Sequence, residues 1–295
     1  MEFVQQVLNG LSLGSVYALI ALGYTMVYGI VKLINFAHGD ILMIGAFGGF
    51  FIMGAFGVSP TTILISFIVS MGVCAIIGII IEKTCYAPLR NAPRINALIT
   101  AIGVSYLLEN GGRVLPFMGP NPKQFPTFKI QNYNFLGINI SQTQIMTIAI
   151  SILLMALLNY IINYTKIGKA MRATSFDMNA ACLMGININR IISFTFALGA
   201  ALGAAAGILF ASSYPQVEPY MGFMPGLKAF VAAVLGGIGS IPGAMLGGFL
   251  LGIAETLTKG FISSKLADGV AFGILIIILV VKPTGILGKN EREKV

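Results

Sequence analysis

The chain has 295 residues, of which 57% are hydrophobic and only 9% are charged. Its mean hydropathy of +0.90 excludes a soluble domain and is typical of a protein whose helices lie in a bilayer. The formal net charge is +8, but the Lys and Arg residues are concentrated in short loops beside apolar runs, a distribution that argues against nucleic-acid binding.

Apolar segments recur along the whole chain. A helix needs about 20 mostly apolar residues to cross a hydrocarbon core, and each backbone polar group must be paired inside the span. The sequence therefore predicts an all-α, polytopic transmembrane helical bundle of about eight spans, one of them broken or re-entrant. We interpret residues 1–295 as one transmembrane domain. The apolar segments are residues 4–30, 41–57, 61–81, 95–112, 142–163, 190–213, 226–256 and 267–282.

A short polar turn, residues 35–40, separates the first two segments. It holds the only histidine of the chain. One interpretation is that Asn35, His38 and Asp40 line a translocation path; the other is an interfacial turn in which Asp40 caps the following helix. One His and one Asp two positions apart cannot alone bind a metal or relay protons. With only three scattered cysteines in addition, no metal or other cofactor is predicted.

The segment that follows, residues 41–57, is short and interrupted by glycines. If it crosses the membrane, three crossings precede the first basic loop and the N-terminus lies outside. If it is re-entrant, the N-terminus lies inside.

The basic residues predict which loops face the cytoplasm. Lys and Arg are enriched in short cytoplasmic loops of membrane proteins. Three loops are therefore placed inside, and parity then places residues 113–141 outside, although that loop holds Arg113, Lys123 and Lys129. The inside groups are Lys83, Arg90 and Arg94; Lys166, Lys169, Arg172 and Arg190; and Lys282, Lys289, Arg292 and Lys294.

Acidic residues are rare within the apolar segments. Glu109 and Glu255 lie near the ends of theirs. A charge inside a membrane is a functional hint by default, but near a helix end the side chain can reach the interface instead. This scarcity weighs against ion-coupled transport. The P-loop pattern G-x-x-x-x-G-K-[ST] is absent, so the chain is not predicted to bind ATP by that motif.

The basic loop 164–190 predicts a docking element. Thr174 and Asp177 have the spacing of a capping box, which predicts a helix over residues 175–184 that ends at Gly185 in the left-handed conformation. Such a helix, outside any span, offers an apolar face to a soluble partner. The alternative is a connector that lies on the lipid surface. The predicted face consists of Ala180, Ala181, Leu183 and Met184.

The apolar run 226–256 cannot be one regular helix. It contains Gly236, Gly237, Gly239 and Pro242 within seven residues, and such a cluster breaks a helix. A charge-consistent topology also requires one run near the C-terminus to be split or re-entrant. Interrupted segments mark the substrate path in many transporters, so these four residues are candidates for the path. The alternative is that they serve helix packing.

Several motifs together resemble a known family. Ala180, Ala181 and Gly185 match the Ala-Ala-x3-Gly coupling helix of ABC importer permeases, although Asn179 stands where the general motif has Glu. More specifically, the chain resembles the LivH-type permease of branched-chain amino acid importers. The segments that carry this resemblance are residues 13–19, 23–29, 34–40, 235–243 and 283–288.

The resemblance implies a multi-pass subunit of the bacterial cytoplasmic (inner) membrane, without enzymatic activity of its own. It implies three kinds of protein partner: a second homologous permease, two ABC ATPase subunits that hydrolyse ATP, and an extracytoplasmic binding protein that delivers a branched-chain or similar apolar amino acid. The rival hypothesis from a different class is an ion-coupled secondary transporter or channel that works alone.

Overall fold

The computed structural model describes residues 1–90, 92–127, 132–135 and 138–288. In these residues the chain forms eleven α-helices, and a π-helical turn over Glu82–Tyr86 and a 3₁₀ turn over Ala87–Leu89 continue the third of them. The helices are α1 (Glu2–Val31), α2 (His38–Phe56), α3 (Pro60–Ile81), α4 (Arg94–Val114), α5 (Gln142–Tyr164), α6 (Lys166–Phe176), α7 (Met178–Leu183), α8 (Ile188–Ser213), α9 (Phe223–Gly236), α10 (Ile241–Phe261) and α11 (Ala267–Val281).

The predicted polytopic helical bundle is confirmed. Six of the described helices are long and apolar enough to cross a membrane: α1, α2, α3 with its continuation, α5, α8 and α10. α9 and α11 are apolar but shorter, and α4 is long enough without reaching the same hydropathy. Each apolar segment predicted from the sequence therefore corresponds to one helix, except that residues 226–256 correspond to two, α9 and α10.

Four short strands lie in the connecting segments. β1 (Lys123–Gln124) pairs antiparallel with β4 (Gln216–Val217), and β2 (Asn132–Phe135) pairs antiparallel with β3 (Ile138–Ser141). Lys129 of the predicted outside loop, and Lys289, Arg292 and Lys294 of the tail, lie outside the described residues.

Contacts of the first helix decide between the two predicted topologies. The side chain of Gln5 exchanges hydrogen bonds with the backbone of Asn139, at 2.8 Å to its carbonyl and 2.9 Å from its amide. The N-terminus therefore lies on the same side as the segment that precedes α5. An even number of crossings must separate the two. With α1, α3 and α4 counted as crossings, α2 must be the fourth, and the N-terminus then lies opposite the basic loops.

α1 lies at the centre of the bundle and is the most deeply buried of the six spans. It packs against α10, α8, α9 and α5. The α1–α10 seam is built from glycines on both sides. A Cβ on Gly14 would lie 2.8 Å from the carbonyl oxygen of Gly248, and Gly252 packs on the backbone of Gly14 in turn. The absence of side chains lets the two backbones touch, which compensates for the lack of a hydrophobic driving force in lipid.

The glycines of α8 also serve helix packing. A Cβ on Gly199 would lie 3.4 Å from the backbone of Gly23 in α1, and Gly207 packs on the carbonyl of Leu42 in α2. α2 contributes a glycine of its own, Gly45, which faces the backbone of α8. α8 is thereby held against both α1 and α2.

The predicted break in the run 226–256 is confirmed. α9 ends at Gly236 and α10 begins at Ile241, with Ser240 as N-cap and Pro242 in the first turn. Gly237 and Gly239 have φ angles of +105° and +97°, which only glycine adopts without strain. The C-terminal segment packs on this turn, since the amides of Ile286 and Leu287 donate to the carbonyls of the last residues of α9, each at 2.9 Å.

A glycine exchange tests the α1–α10 seam. In Gly14→Leu the added side chain meets the α10 backbone, and we expect the folded state to lose about 3 kcal/mol or more. Gly103→Leu is the matched control, because no atom of the described residues lies within 4 Å of a Cβ at that position. Thermal unfolding of both variants in one detergent measures the difference. Equal melting temperatures would show that the seam does not hold the bundle together.

Candidate functional site

The polar turn before α2 lies inside the bundle and not at an interface. Asn35, His38 and Asp40 are 3%, 2% and 1% exposed. The Asn35 side-chain oxygen accepts a hydrogen bond of 3.0 Å from the hydroxyl of Tyr86, and the His38 ring packs edge-on against Tyr24 at 4.9 Å between centroids. The predicted alternative, in which Asp40 caps α2, is wrong: α2 starts at His38, its N-cap Ala37 has no side-chain cap, and Asp40 is already in the first turn.

Two helices begin face to face at this turn. A Cβ on Gly39 would lie 2.7 Å from the carbonyl oxygen of Gly222, just before α9, and 3.2 Å from the Cα of Gly226. His38 lies against Gly23 of α1 and Gly203 of α8. Gly23 is eight residues before the end of α1, which corresponds to about 12 Å along the helix axis. The starts of α2 and α9 therefore meet inside the bundle, about two helical turns before the end of α1.

Several polar atoms near this meeting point have no hydrogen-bond partner in the described part of the chain. They are Nε2 of His38, Oδ2 of Asp40 and Oε1 of Glu109. The carboxyls of Asp40 and Glu109 interact directly, although they belong to different helices. Glu109 is only 2% exposed, so its side chain does not reach the interface, the alternative that the sequence left open. Unpaired buried polar atoms are costly, so these three atoms mark a functional candidate.

The glycine-rich candidates lie elsewhere. Gly236, Gly237, Gly239 and Pro242 are at the other end of α9, about 20 Å from Gly222 at a rise of about 1.5 Å per residue. The structure thus does not bring the two predicted halves of the path together. Gly236 packs on the carbonyl of a residue in α10, and Gly237 packs on the C-terminal segment. Gly239 lines a small cavity of about 90 Å³ beside α1, α5 and α6.

The predicted docking helix is divided in two. Asp177 ends α6 and caps α7, where its carboxylate accepts hydrogen bonds of 2.9 Å from the amides of Asn179 and Ala180. The capping role predicted for Thr174 is wrong: it lies inside α6, is 1% exposed, and donates its hydroxyl to the carbonyl of Ala170 at 2.8 Å. The loop is long enough for two helices, and Asp177 takes the cap that the spacing assigned to Thr174.

The predicted end of the helix is confirmed. Gly185 has a φ of +83°. Its amide donates to the carbonyl of Cys182, and the next amide, of Ile186, donates to the carbonyl of Ala181. These two bonds form the Schellman motif, in which a left-handed glycine satisfies the last carbonyls of a helix.

α7 presents an apolar surface, but not with all the predicted residues. Leu183 and Met184 are 89% and 83% exposed, and Ala180 is exposed beside them. Ala181, in contrast, is 4% exposed and faces the rest of the chain. The loop that carries α7 also holds four exposed basic residues: Lys166, Lys169, Arg172 and Arg190.

A buried ion-pair cluster joins four helices. Lys228 of α9 contacts Glu255 of α10 at 2.7 Å and Asp268 of α11 at 2.6 Å. Lys259 contacts the same oxygen of Glu255 at 2.7 Å, and the hydroxyl of Tyr17 in α1 donates to the other oxygen at 2.8 Å. Glu255 is 1% exposed, so it is held by partners and does not reach the interface.

Sequence reasoning missed this cluster. It considered Glu255 alone and did not mention Lys228, although a single lysine in an apolar run calls for an acidic partner. No group of three or more metal-ligating residues occurs within the described ranges.

Comparisons with known proteins identify similar membrane transport proteins. The family model described as "Branched-chain amino acid transport system / permease component" matches residues 6–279. The chain is 44% identical to the high-affinity branched-chain amino acid transport system permease protein LivH of Salmonella typhimurium, over 100% of this chain and 98% of that protein. It is 45% identical to BraD of Pseudomonas aeruginosa, with the same coverage.

A solved structure shares the fold. The chain resembles a chain of PsaBC from Streptococcus pneumoniae, solved in complex with Fab, with a TM-score of 0.50 and 16% identity. The match covers 96% of this chain and 93% of the other.

The ion-pair cluster yields a ranked prediction. Glu255→Gln removes the shared acceptor of two lysines, and we expect it to cost about 3 kcal/mol or more of stability, since a buried charge loses its main partner. Lys228→Met should cost less, because Glu255 keeps Lys259 and Tyr17, and Asp268 is 49% exposed to solvent. Thermal unfolding ranks the two variants. A larger loss for Lys228→Met would mean that Lys228, and not Glu255, is the centre of the cluster.

Proposed function

Because the chain belongs to the branched-chain amino acid transport permease family, we propose that it is the membrane-spanning subunit of an ATP-driven importer of branched-chain or similar apolar amino acids. It is a multi-pass protein of the inner membrane, and its relatives are named as transport permeases. In the proposal, ATP is hydrolysed by two separate ABC ATPase subunits, a second homologous permease completes the membrane part, and an extracytoplasmic binding protein delivers the amino acid.

The observation that carries this proposal is the surface of α7. A six-residue helix capped at both ends holds Leu183 and Met184 almost fully exposed, on the side of the chain where the basic loops lie. Adjacent exposed apolar side chains outside the spans mark a candidate surface for contact with another protein. We assign this surface, which comprises Ala180, Leu183 and Met184, as the docking surface for the ATPase. Asp177 and Gly185 fix its two ends, while Thr174 and Ala181 hold it to α6 and the bundle.

The proposed path passes the meeting point of α2 and α9. Asn35, His38 and Asp40 supply polar groups there inside an otherwise apolar bundle. Of the glycine-rich candidates, Gly239 lines a cavity, whereas Gly236, Gly237 and Pro242 shape the turn that holds α9 against α10. In this proposal the turn serves as a hinge point of the path and not as its lining.

A charge on the docking surface tests the proposal. Leu183→Asp places a carboxylate where we expect an apolar contact, and leucine uptake by the assembled transporter in proteoliposomes should fall at least about tenfold. Leu183→Met keeps the surface apolar and should transport normally. Membrane insertion of both variants is checked by their yield and their monodispersity in detergent. Normal uptake by the Leu183→Asp variant would refute the docking assignment, and ion-driven accumulation by the chain alone would refute the importer.

A further inference from the structure

A polar cavity opens between four helices at the extracytoplasmic end of the bundle. It has a volume of about 340 Å³ and lies between the N-terminal half of α1, the start of α5 and the ends of α8 and α10. All of its lining residues carry polar side chains except Leu13, Val16 and Phe210. The Gln5–Asn139 contact places this end opposite the basic loops. In a chain that is 57% hydrophobic, such a lining needs an explanation; we refer to this cavity as the vestibule.

We propose that the vestibule binds the zwitterionic head group of the transported amino acid, with Lys259 as the partner of its carboxylate. This inference rests on the proposed function and names residues of the permease that contact the substrate. The volume is within the range of ligand sites in proteins, roughly 300–1,000 Å³.

Lys259 has the donors that a carboxylate needs. Its ammonium contacts Glu255 at 2.7 Å, and its side chain is 37% exposed where it lines the vestibule. An ammonium has three N–H donors. Within the described residues, the Lys259 ammonium has no hydrogen-bond acceptor other than Glu255. A charge-assisted hydrogen bond to a carboxylate is stronger than one to a neutral acceptor.

Oxygen atoms of other lining residues suit the ammonium group of the substrate. Gln144 is held rigidly: its Oε1 accepts from the amide of Ser141 at 3.0 Å, and its Nε2 donates to Oδ1 of Asn9 at 2.7 Å. Oε1 of Gln6 accepts only a long bond of 3.4 Å from Asn9. Ser213 donates its hydroxyl to the carbonyl of Leu209, which leaves the lone pairs of Oγ free to accept.

The charges around the vestibule favour a ligand with no net charge. Lys228 and Lys259 are balanced by Glu255 and Asp268, so a ligand with only a carboxylate or only an amine would add an uncompensated charge in a medium of low dielectric constant. A zwitterion adds one charge of each sign and no net charge. The apolar part of the wall, formed by Leu13, Val16 and Phe210, can then receive an aliphatic side chain.

Cysteine protection tests this site on the full chain in nanodiscs, without a binding protein. The reporter is Thr143→Cys, at a lining residue with no proposed ligand contact, in a background where Cys85 and Cys182 are serine. Cys74 is buried, so we expect no labelling there. Millimolar L-leucine should slow the labelling of the reporter by a maleimide. The analogues 4-methylpentanoate, which lacks the ammonium, and 3-methylbutylamine, which lacks the carboxylate, should protect it at least about tenfold more weakly.

Lys259 is then replaced in the reporter chain. Lys259→Met should abolish protection by leucine, and Lys259→Arg should retain it. Lys265→Met is the matched control, because Lys265 is exposed in the loop that follows α10 and does not line the vestibule. Gel filtration shows whether each variant is folded. If Lys259→Met is misfolded, Asn9→Leu replaces it with the same expectation.

Two outcomes overturn the inference: no protection by leucine in the reporter chain, or protection by leucine that survives Lys259→Met. Leucine uptake by the assembled transporter is measured in parallel. Uptake without protection refutes the vestibule and leaves the importer standing. Protection without ATP-dependent uptake refutes the importer.

Discussion

Close backbone contact around α1 is the constraint on which the rest of this structure depends. Lipid is as apolar as a leucine side chain, so helices in a membrane gain little by burying apolar surface against each other. α1 gains contact instead where Gly14 meets Gly248 and Gly252, and where Gly23 meets Gly199. These contacts hold the backbones of α8 and α10 directly against the backbone of α1. Tyr17 can therefore reach Glu255, and the vestibule has three of its walls.

The bundle interior contains two kinds of buried polar group, one with partners and one without. At the cluster around Glu255, each lysine and each carboxylate has a partner, and the charges cancel. Around His38, Asp40 and Glu109, polar atoms lack partners in the described structure. A compensated cluster holds helices together, whereas uncompensated atoms cost free energy unless a ligand, water or movement satisfies them. We therefore assign a structural role to Glu255 with Lys228 and Asp268, whereas Lys259 extends from this cluster into the vestibule. The second group is assigned a role in the path.

The sequence predicted features whose cause is local. The break before α10 follows from glycines and a proline within a few residues, and the end of α7 follows from Gly185; both depend only on backbone conformation. The prediction from sequence failed where two neighbouring residues could each cap the helix. Asp177 and Thr174 are both good caps, and only the packing of α6 decides that Thr174 is interior.

Features that depend on partners distant in sequence could not be predicted. The partners of Glu255 are 238 residues away at Tyr17 and 27 residues away at Lys228. The vestibule likewise combines residues from both ends of the chain.

α5 connects the vestibule to the docking surface, since its first turn contributes Gln144 and its last residues carry α6. Thr165 ends α5 and caps α6, where its hydroxyl accepts a hydrogen bond of 3.1 Å from the amide of Gly168. Gly168 packs directly on the last carbonyls of α5, so the start of α6 is held against the end of α5. α5 thus joins the α6–α7 region to the opposite end of the bundle as one continuous helix, and its first turn places the Gln144 amide against Asn9.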